Sequence, residues 1–197
     1  MADILCGKVN PSGKLSETFP TKIRTDLQYP GNNYVANYPE GIFVGYRYYD
    51  AHPEEIEYPF GHGLSYTEFE YSDLEAEQKD SEIHISLQLE NIGSCKGAEV
   101  VQLYIGDPVS TVERPLKELK GFNKVMLEAG ETKKVTFSVS LRDLGYYNVF
   151  LKDWITEPGE YIIYVGSSSR DIRVKKSVYV KNDIPYTINN TSEDMIG

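Results

Sequence analysis

Acid and base chemistry in this chain would have to come from 30 Asp and Glu side chains and three histidines, so their grouping decides what is feasible. Two carboxylates held about 5 to 5.5 Å apart can divide the roles of nucleophile and acid/base, but spacing along a chain does not reveal such a pair. The densest acidic group, Glu54, Glu55 and Glu57 beside Pro53, reads as a solvated surface turn. No Gly-x-Ser-x-Gly elbow occurs, and neither Cys6 nor Cys95 has neighbours that would activate a thiolate. His52, His62 and His84 have no Cys or His at metal-ligand spacing, so no metal site is expected.

Three side chains stand out as candidates for binding. His62 lies between Gly61 and Gly63, whose backbone freedom lets a chain turn tightly and hold a ring in place. Its ring is expected to satisfy nearby carbonyls, with ligand contact as the alternative. Tyr46 belongs to an aromatic run with Phe43, Tyr48 and Tyr49 that could stack on a ring, although alternating aromatics more commonly pack a core. Trp154, the only tryptophan, precedes the turn Pro158-Gly159 and is expected to be buried as an anchor. Exposed, it would form a stacking platform.

The elements that must position these residues fall into two textures. Residues 1–66 hold six of the ten prolines and eight tyrosines with little periodicity, which places a boundary near Tyr66. There Ala2 to Leu5 could close a helix with Gly7 as its cap, Pro11-Ser12-Gly13 suggests a turn, and Leu15 to Phe19 a short strand. EGIFVGYRYYD, Glu40 to Asp50, suits a strand or a strand entering a helix, and Tyr58 to Tyr66 a structured loop. Beyond Thr67 apolar residues alternate with period two: Ile83, Ile85, Leu87 and Leu89; Val101, Leu103 and Ile105; Val135, Phe137 and Val139; Tyr161, Ile163 and Val165; Leu119, Phe122, Val125 and Leu127 populate a further segment, and a last strand runs from about Asp171 to Val180. Roughly seven short strands over little more than 110 residues indicate an immunoglobulin-like or fibronectin-like sandwich over 67–181. Residues 182–197 lack alternation and read as a linker or tail.

Composition narrows the partners. A net charge of -10 with scattered Lys and Arg disfavours nucleic acid, and no apolar run approaches the roughly 20 residues that span a bilayer, so no membrane partner is expected. Two distant cysteines form neither a disulfide framework nor a metal motif, and both read as free thiols. MADILCGKVN lacks the cationic and apolar regions of a secretory signal, so the chain as it stands is expected in the cytoplasm.

The runs ADILCGKVNPSGKLSETFP, EGIFVGYRYYD and YPFGHGLSYTEFEYSDL resemble the end of the α/β sandwich domain of family 3 glycoside hydrolases, chiefly β-glucosidases and β-xylosidases. NIGSCKGAEVVQLYIGDP, RPLKELKGFNKVMLEAGETKKVTFSV and EPGEYIIYVGSSSRDI resemble the fibronectin type III-like domain that accompanies it, and together the likeness spans about nine tenths of the chain. The resemblance implies a mainly β chain: a fibronectin type III or immunoglobulin-like sandwich (67–181) preceded by an incomplete fragment of an α/β sandwich domain (1–66). In such enzymes the nucleophilic aspartate lies on a barrel and the acid/base glutamate lies upstream of the NPSGKL motif. No catalytic residue is therefore carried onto this sequence, and no cofactor is implied. The implied role is scaffold and accessory domain, with the catalytic barrel of the same enzyme as partner, in cis or in trans, and a carbohydrate as the substrate of the whole. Met1 falls where the family has the interior of a helix, and the tail from Ile184 resembles a linker into a barrel in members of reversed domain order. The rival reading is a free-standing module that binds carbohydrate or protein through exposed aromatics.

Overall fold

A computed structural model describes residues 2–22 and 38–181. Before Tyr66 the prolines and glycines keep every element short: helix α1 (Ala2–Leu5), strand β1 (Phe19–Pro20), helix α2 (Tyr46–Ala51) and strand β2 (Ile56–Tyr58). Gly7 follows α1 at φ 71°, the left-handed conformation expected of its cap. β1 pairs antiparallel with β2, Phe19 opposite Tyr58.

Here the structure corrects the sequence reading at three points. Pro11 to Gly13 form no turn. The expected strand from Leu15 shrinks to Phe19–Pro20, because Leu15 exchanges backbone bonds with the Tyr58 to Tyr66 loop: its N–H donates to the His62 carbonyl and its carbonyl accepts from Gly61 N–H, both at 2.8 Å. The aromatic run from Glu40 resolves as turn then helix, since Gly45 at φ 61° breaks the extended path before Tyr46.

From Phe69 onward, alternation builds the sandwich: β3 (Phe69–Lys79), β4 (Glu82–Asn91), β5 (Gly97–Gly106), β6 (Glu118–Leu127), β7 (Thr132–Ser140), the small hairpin β8 (Tyr146–Asn148) and β9 (Asp153–Ile155), then β10 (Gly159–Gly166) and β11 (Ile172–Val180). One sheet runs β11-β10-β5-β6 and the other β3-β4-β7, all pairs antiparallel. The described chain is thus mainly β, with a fibronectin-like sandwich behind a short mixed segment. The residues 182–197, read as a tail, lie outside the described residues, as does Met1.

The core is the period-two set. Ile83, Ile85, Leu87 and Leu89 of β4, Val101, Leu103 and Ile105 of β5, and Tyr161, Ile163 and Val165 of β10 are at most 3% exposed. Burying each such side chain is worth roughly 1.5–3 kcal/mol. Continuing the inward register of β4 one step reaches Asn91, fully buried and fully bonded. Its Oδ1 accepts from Thr67 Oγ1 (2.6 Å) and Gly93 N–H (3.2 Å), while Nδ2 donates to the carbonyls of Cys95 (2.8 Å) and Leu127 (3.2 Å). All four of its hydrogen-bonding positions are filled, so a polar group sits in the core without an unmade bond. At the open side of the sandwich Gln78 caps the sheet edge, donating to the Lys181 carbonyl (2.8 Å) and accepting from its N–H (2.7 Å).

Phe122 lies outside the core. Its even number sets it opposite Gln102 on the outer side of edge strand β6, 68% exposed, while Val125 and Leu127 face the core. Leu103→Ala should therefore destabilise the chain by about 2–5 kcal/mol through a buried cavity, and Phe122→Ala by no more than about 0.5 kcal/mol, in urea unfolding followed by circular dichroism.

Candidate functional site

Strand β5 reads GAEVVQLYIG, and nearly every residue of it is buried. Val101, Leu103 and Ile105 fill the core, whereas Gln102 and Tyr104 on the other face, with Glu99 through Lys14, meet the segment before Tyr66. That joint is a dense polar arrangement.

Helix α2 brings Tyr46 and Asp50 to one face by their spacing of four. The Tyr46 ring stacks on Phe60 (centroids 4.9 Å apart, 27°) and meets Tyr104 edge-on (5.8 Å, 76°), and its hydroxyl accepts from Leu119 N–H at 2.7 Å. Burial pushes its pKa up, so it remains a phenol at neutral pH. One helical turn on, Asp50 Oδ2 accepts from Lys117 Nζ at 2.6 Å, the two side chains being 1% and 11% exposed. Oδ1 of the same carboxylate is buried with no hydrogen-bond partner among the described residues.

Burial raises the pKa of Asp50 against the pull of Lys117, and lowers that of Lys117 against the pull of Asp50. The signs follow from which state holds more protons. Between the ordinary aspartate pKa and its raised value, the folded state holds the extra proton and stability falls as pH rises; between the lowered lysine value and the ordinary one, the unfolded state holds it and stability rises with pH. Desolvation thus makes this pair a costly tie at neutral pH, retained in one specific geometry.

Around it the charges are shared. Glu118 meets Arg47 (3.1 Å), Arg114 (3.1 Å) and Lys120 (3.3 Å). Desolvation alone would raise its pKa, but Lys120, Arg47 and Arg114 outweigh that and hold it below the usual glutamate value, so its contribution is present above that value and is lost as pH falls through the lowered one. Lys14 binds Glu99 at 2.8 Å. Arg170 donates to the Asp50 carbonyl at 3.4 Å.

The glycine-flanked loop makes the backbone half of the joint. Gly61 has φ 79°, and a Cβ there would collide with the Gln102 amide; at Gly63 it would collide with the Gly13 carbonyl. Gln102 Nε2 donates to the carbonyls of Gly61 (3.2 Å) and Ser167 (2.6 Å), its Oε1 accepts from Tyr104 Oη (2.6 Å), and Ser169 N–H donates to the Phe60 carbonyl (2.9 Å). Asn10, in the NPSGKL motif, accepts from Ser65 Oγ (3.0 Å) and Tyr66 N–H (2.8 Å) and donates to the Lys96 carbonyl (3.1 Å). Most of these contacts tie a side chain to backbone across the joint, and the buried carboxylates beside them, Asp50 and Glu99, each face a cation.

Two of the three candidates from the sequence belong to this joint. Tyr46 is at its centre, as packing. His62 is in its loop, ring tilted 37° to that of Tyr58 at 5.2 Å, and its backbone carbonyl holds Leu15. Trp154 does not share this role and corrects the expectation of burial: it is 50% exposed on the β8–β9 hairpin, edge-on to Tyr147 at 5.9 Å, because alternation gives the inward position to Ile155. Sequence reading missed Gln102, Asn10 and the Asp50–Lys117 pair. The run Val100 to Ile105, apolar at every position but Gln102, was a usable sign of a strand covered on both faces.

Comparison with known proteins bears on both segments. Residues 1–66 match the glycosyl hydrolase family 3 C-terminal domain, and residues 99–169 the fibronectin type III-like domain. The chain carries the end of the C-terminal, α/β sandwich domain found in family 3 glycoside hydrolases and, after it, a fibronectin type III-like domain. It is 50% identical to thermostable β-glucosidase B of Acetivibrio thermocellus, over 100% of this chain and 27% of that protein, and 40% identical to an exo-α-(1→6)-L-arabinopyranosidase of Bifidobacterium breve, over 93% and 25%. Among solved structures it superposes on a family 3 β-glucosidase of Bifidobacterium adolescentis with a TM-score of 0.87 at 40% identity, over 92% of this chain and 28% of that one. The chain spans about a quarter of the length of the relatives it matches.

Lys117→Met should strand the Asp50 carboxylate and cost about 3–5 kcal/mol, whereas Asp50→Leu with Lys117→Met should recover most of that loss, measured by denaturant unfolding at neutral pH. A single variant no less stable than wild type would show that the pair does not tie the joint.

Proposed function

We propose that these 197 residues serve as scaffold and accessory domain for a β-glucosidase-like, retaining glycoside hydrolase, with residues 1–66 forming the joint between a catalytic barrel and the sandwich of residues 67–181. The observation that carries this reading is the two-sidedness of the first segment. It locks onto β5 through Tyr46, Asp50, Gly61 and Asn10, yet leaves Leu5, Val9, Phe19, Ile42, Val44 and Leu64 between 47% and 78% exposed. Large apolar side chains exposed in such number on so short a segment are what a further domain would cover. The relatives are whole enzymes in which this region accompanies a catalytic domain, which supports a barrel in cis; a barrel supplied by a separate chain would use the same surface.

The reaction we assign to the whole is cleavage of a terminal glycosidic bond by two carboxylates, one as nucleophile and one as acid/base, without a cofactor. The matched relatives carry different sugar specificities in their names, β-glucosidase and arabinopyranosidase, over much the same segment. Specificity in this reading therefore resides outside the segment. A second reading, a sandwich that also binds carbohydrate, is favoured by the exposure of Trp154.

Nitrophenyl β-glucoside and β-xyloside hydrolysis should be absent for the purified chain and appear when the chain is extended by its genomic flanks. Turnover by the 197 residues alone would place a working carboxylate pair within them and overturn the reading.

A further inference from the structure

The exposed tryptophan borders a groove of about 920 Å³ at the end of the sandwich remote in sequence from the joint. The β3–β4 turn, the chain leaving β7, strand β9 and the end of β11 converge there, and Trp154 and Tyr179, 50% and 63% exposed, supply two aromatic rings to its lining. Asp80, Asp153, Arg142 and Lys181 share the lining. The lining is stitched in place: Leu141 N–H donates to the Ser81 carbonyl (2.8 Å), Thr156 Oγ1 to the Leu141 carbonyl (2.5 Å), and Asp153 Oδ1 accepts from Trp154 N–H (2.7 Å). Asp80 holds φ 52° at the turn tip, a conformation an aspartate tolerates better than most side chains.

Three properties point to one class of ligand. Aromatic faces beside hydrogen-bonding groups suit a molecule with apolar ring faces and a polar rim. Two carboxylates against two cations leave the groove electrically balanced in a chain whose net charge is -10, so it offers acceptors and donors together and favours a neutral molecule over a phosphate or a polyanion. The volume lies in the upper part of the range for small-molecule sites, and the site is built on stitched strands, so little ordering is needed on binding.

We propose that this groove binds a short neutral oligosaccharide, with Trp154 and Tyr179 stacked on pyranose faces and Asp80, Asp153, Arg142 and Lys181 bonded to ring hydroxyls. This is a binding function of the sandwich itself and does not rest on the proposed catalytic parentage.

Trp154 is the only tryptophan in the 197 residues, so its emission reports occupancy of the groove directly. Titration of the 197-residue chain with cellotetraose and with xylotetraose should give a saturable emission change with at least one sugar. By calorimetry, Trp154→Ala and Tyr179→Ala should each weaken that binding by about tenfold or more, equivalent to roughly 1.4 kcal/mol, while Phe150→Ala, at a side chain 91% exposed nearby on the hairpin, should leave it unchanged. The absence of a saturable change with both sugars overturns the proposal. So does affinity retained in both aromatic variants. Hydrolysis of nitrophenyl glycosides is read separately, so failure here leaves the enzymatic reading standing.

Discussion

Strand β5 is covered on both faces, and much of the molecule follows from that. A strand with one wet face can alternate apolar and polar residues and needs one partner sheet. Once Gln102 and Tyr104 leave water, their polar atoms must be satisfied, and the structure does so with the carbonyls of Gly61 and Ser167 and with each other. This requires the backbone at Gly61 to approach more closely than any side chain allows. It also brings α2 against the start of β6, where Tyr46 and Asp50 find Leu119 and Lys117.

The polar content of the joint has a cost that apolar packing would avoid. Asp50 and Lys117 are both shifted toward their neutral forms by burial, and one carboxylate oxygen is left without a hydrogen bond among the described residues. What such a pair supplies is geometry, since a single placement of the helix satisfies both charges. In the proposed scaffold role such fixed geometry has a use, and Glu118 with its three cations reinforces it.

Most of the sandwich was legible because period two is a local property: β4 and β10 could be read residue by residue from alternating side chains. Leu119, Phe122, Val125 and Leu127 were rightly placed on one strand, and the parity of their numbering separates Phe122 from Val125 and Leu127. Asn91 was legible in principle as a polar residue in an inward register. The joint was much less so. Asp50 and Lys117 are far apart in sequence and carry no local sign of each other, and the exposure of Trp154 depends on a small hairpin outside both sheets. The family resemblance located the segments, but the contacts that join them depend on tertiary structure.

The central claim is that the segment before Tyr66 and the sandwich form one cooperative unit through this joint. Native-state hydrogen exchange of the whole chain tests it most directly, using the amides of Leu15, Gly61, Leu119 and Ser169, whose acceptors lie within the joint. The account predicts that Leu15 and Gly61 exchange with an opening free energy close to that of the central amides of β4 and β5. Exchange of Leu15 and Gly61 at the rate of a frayed loop, while β4 and β5 stay protected, would contradict it.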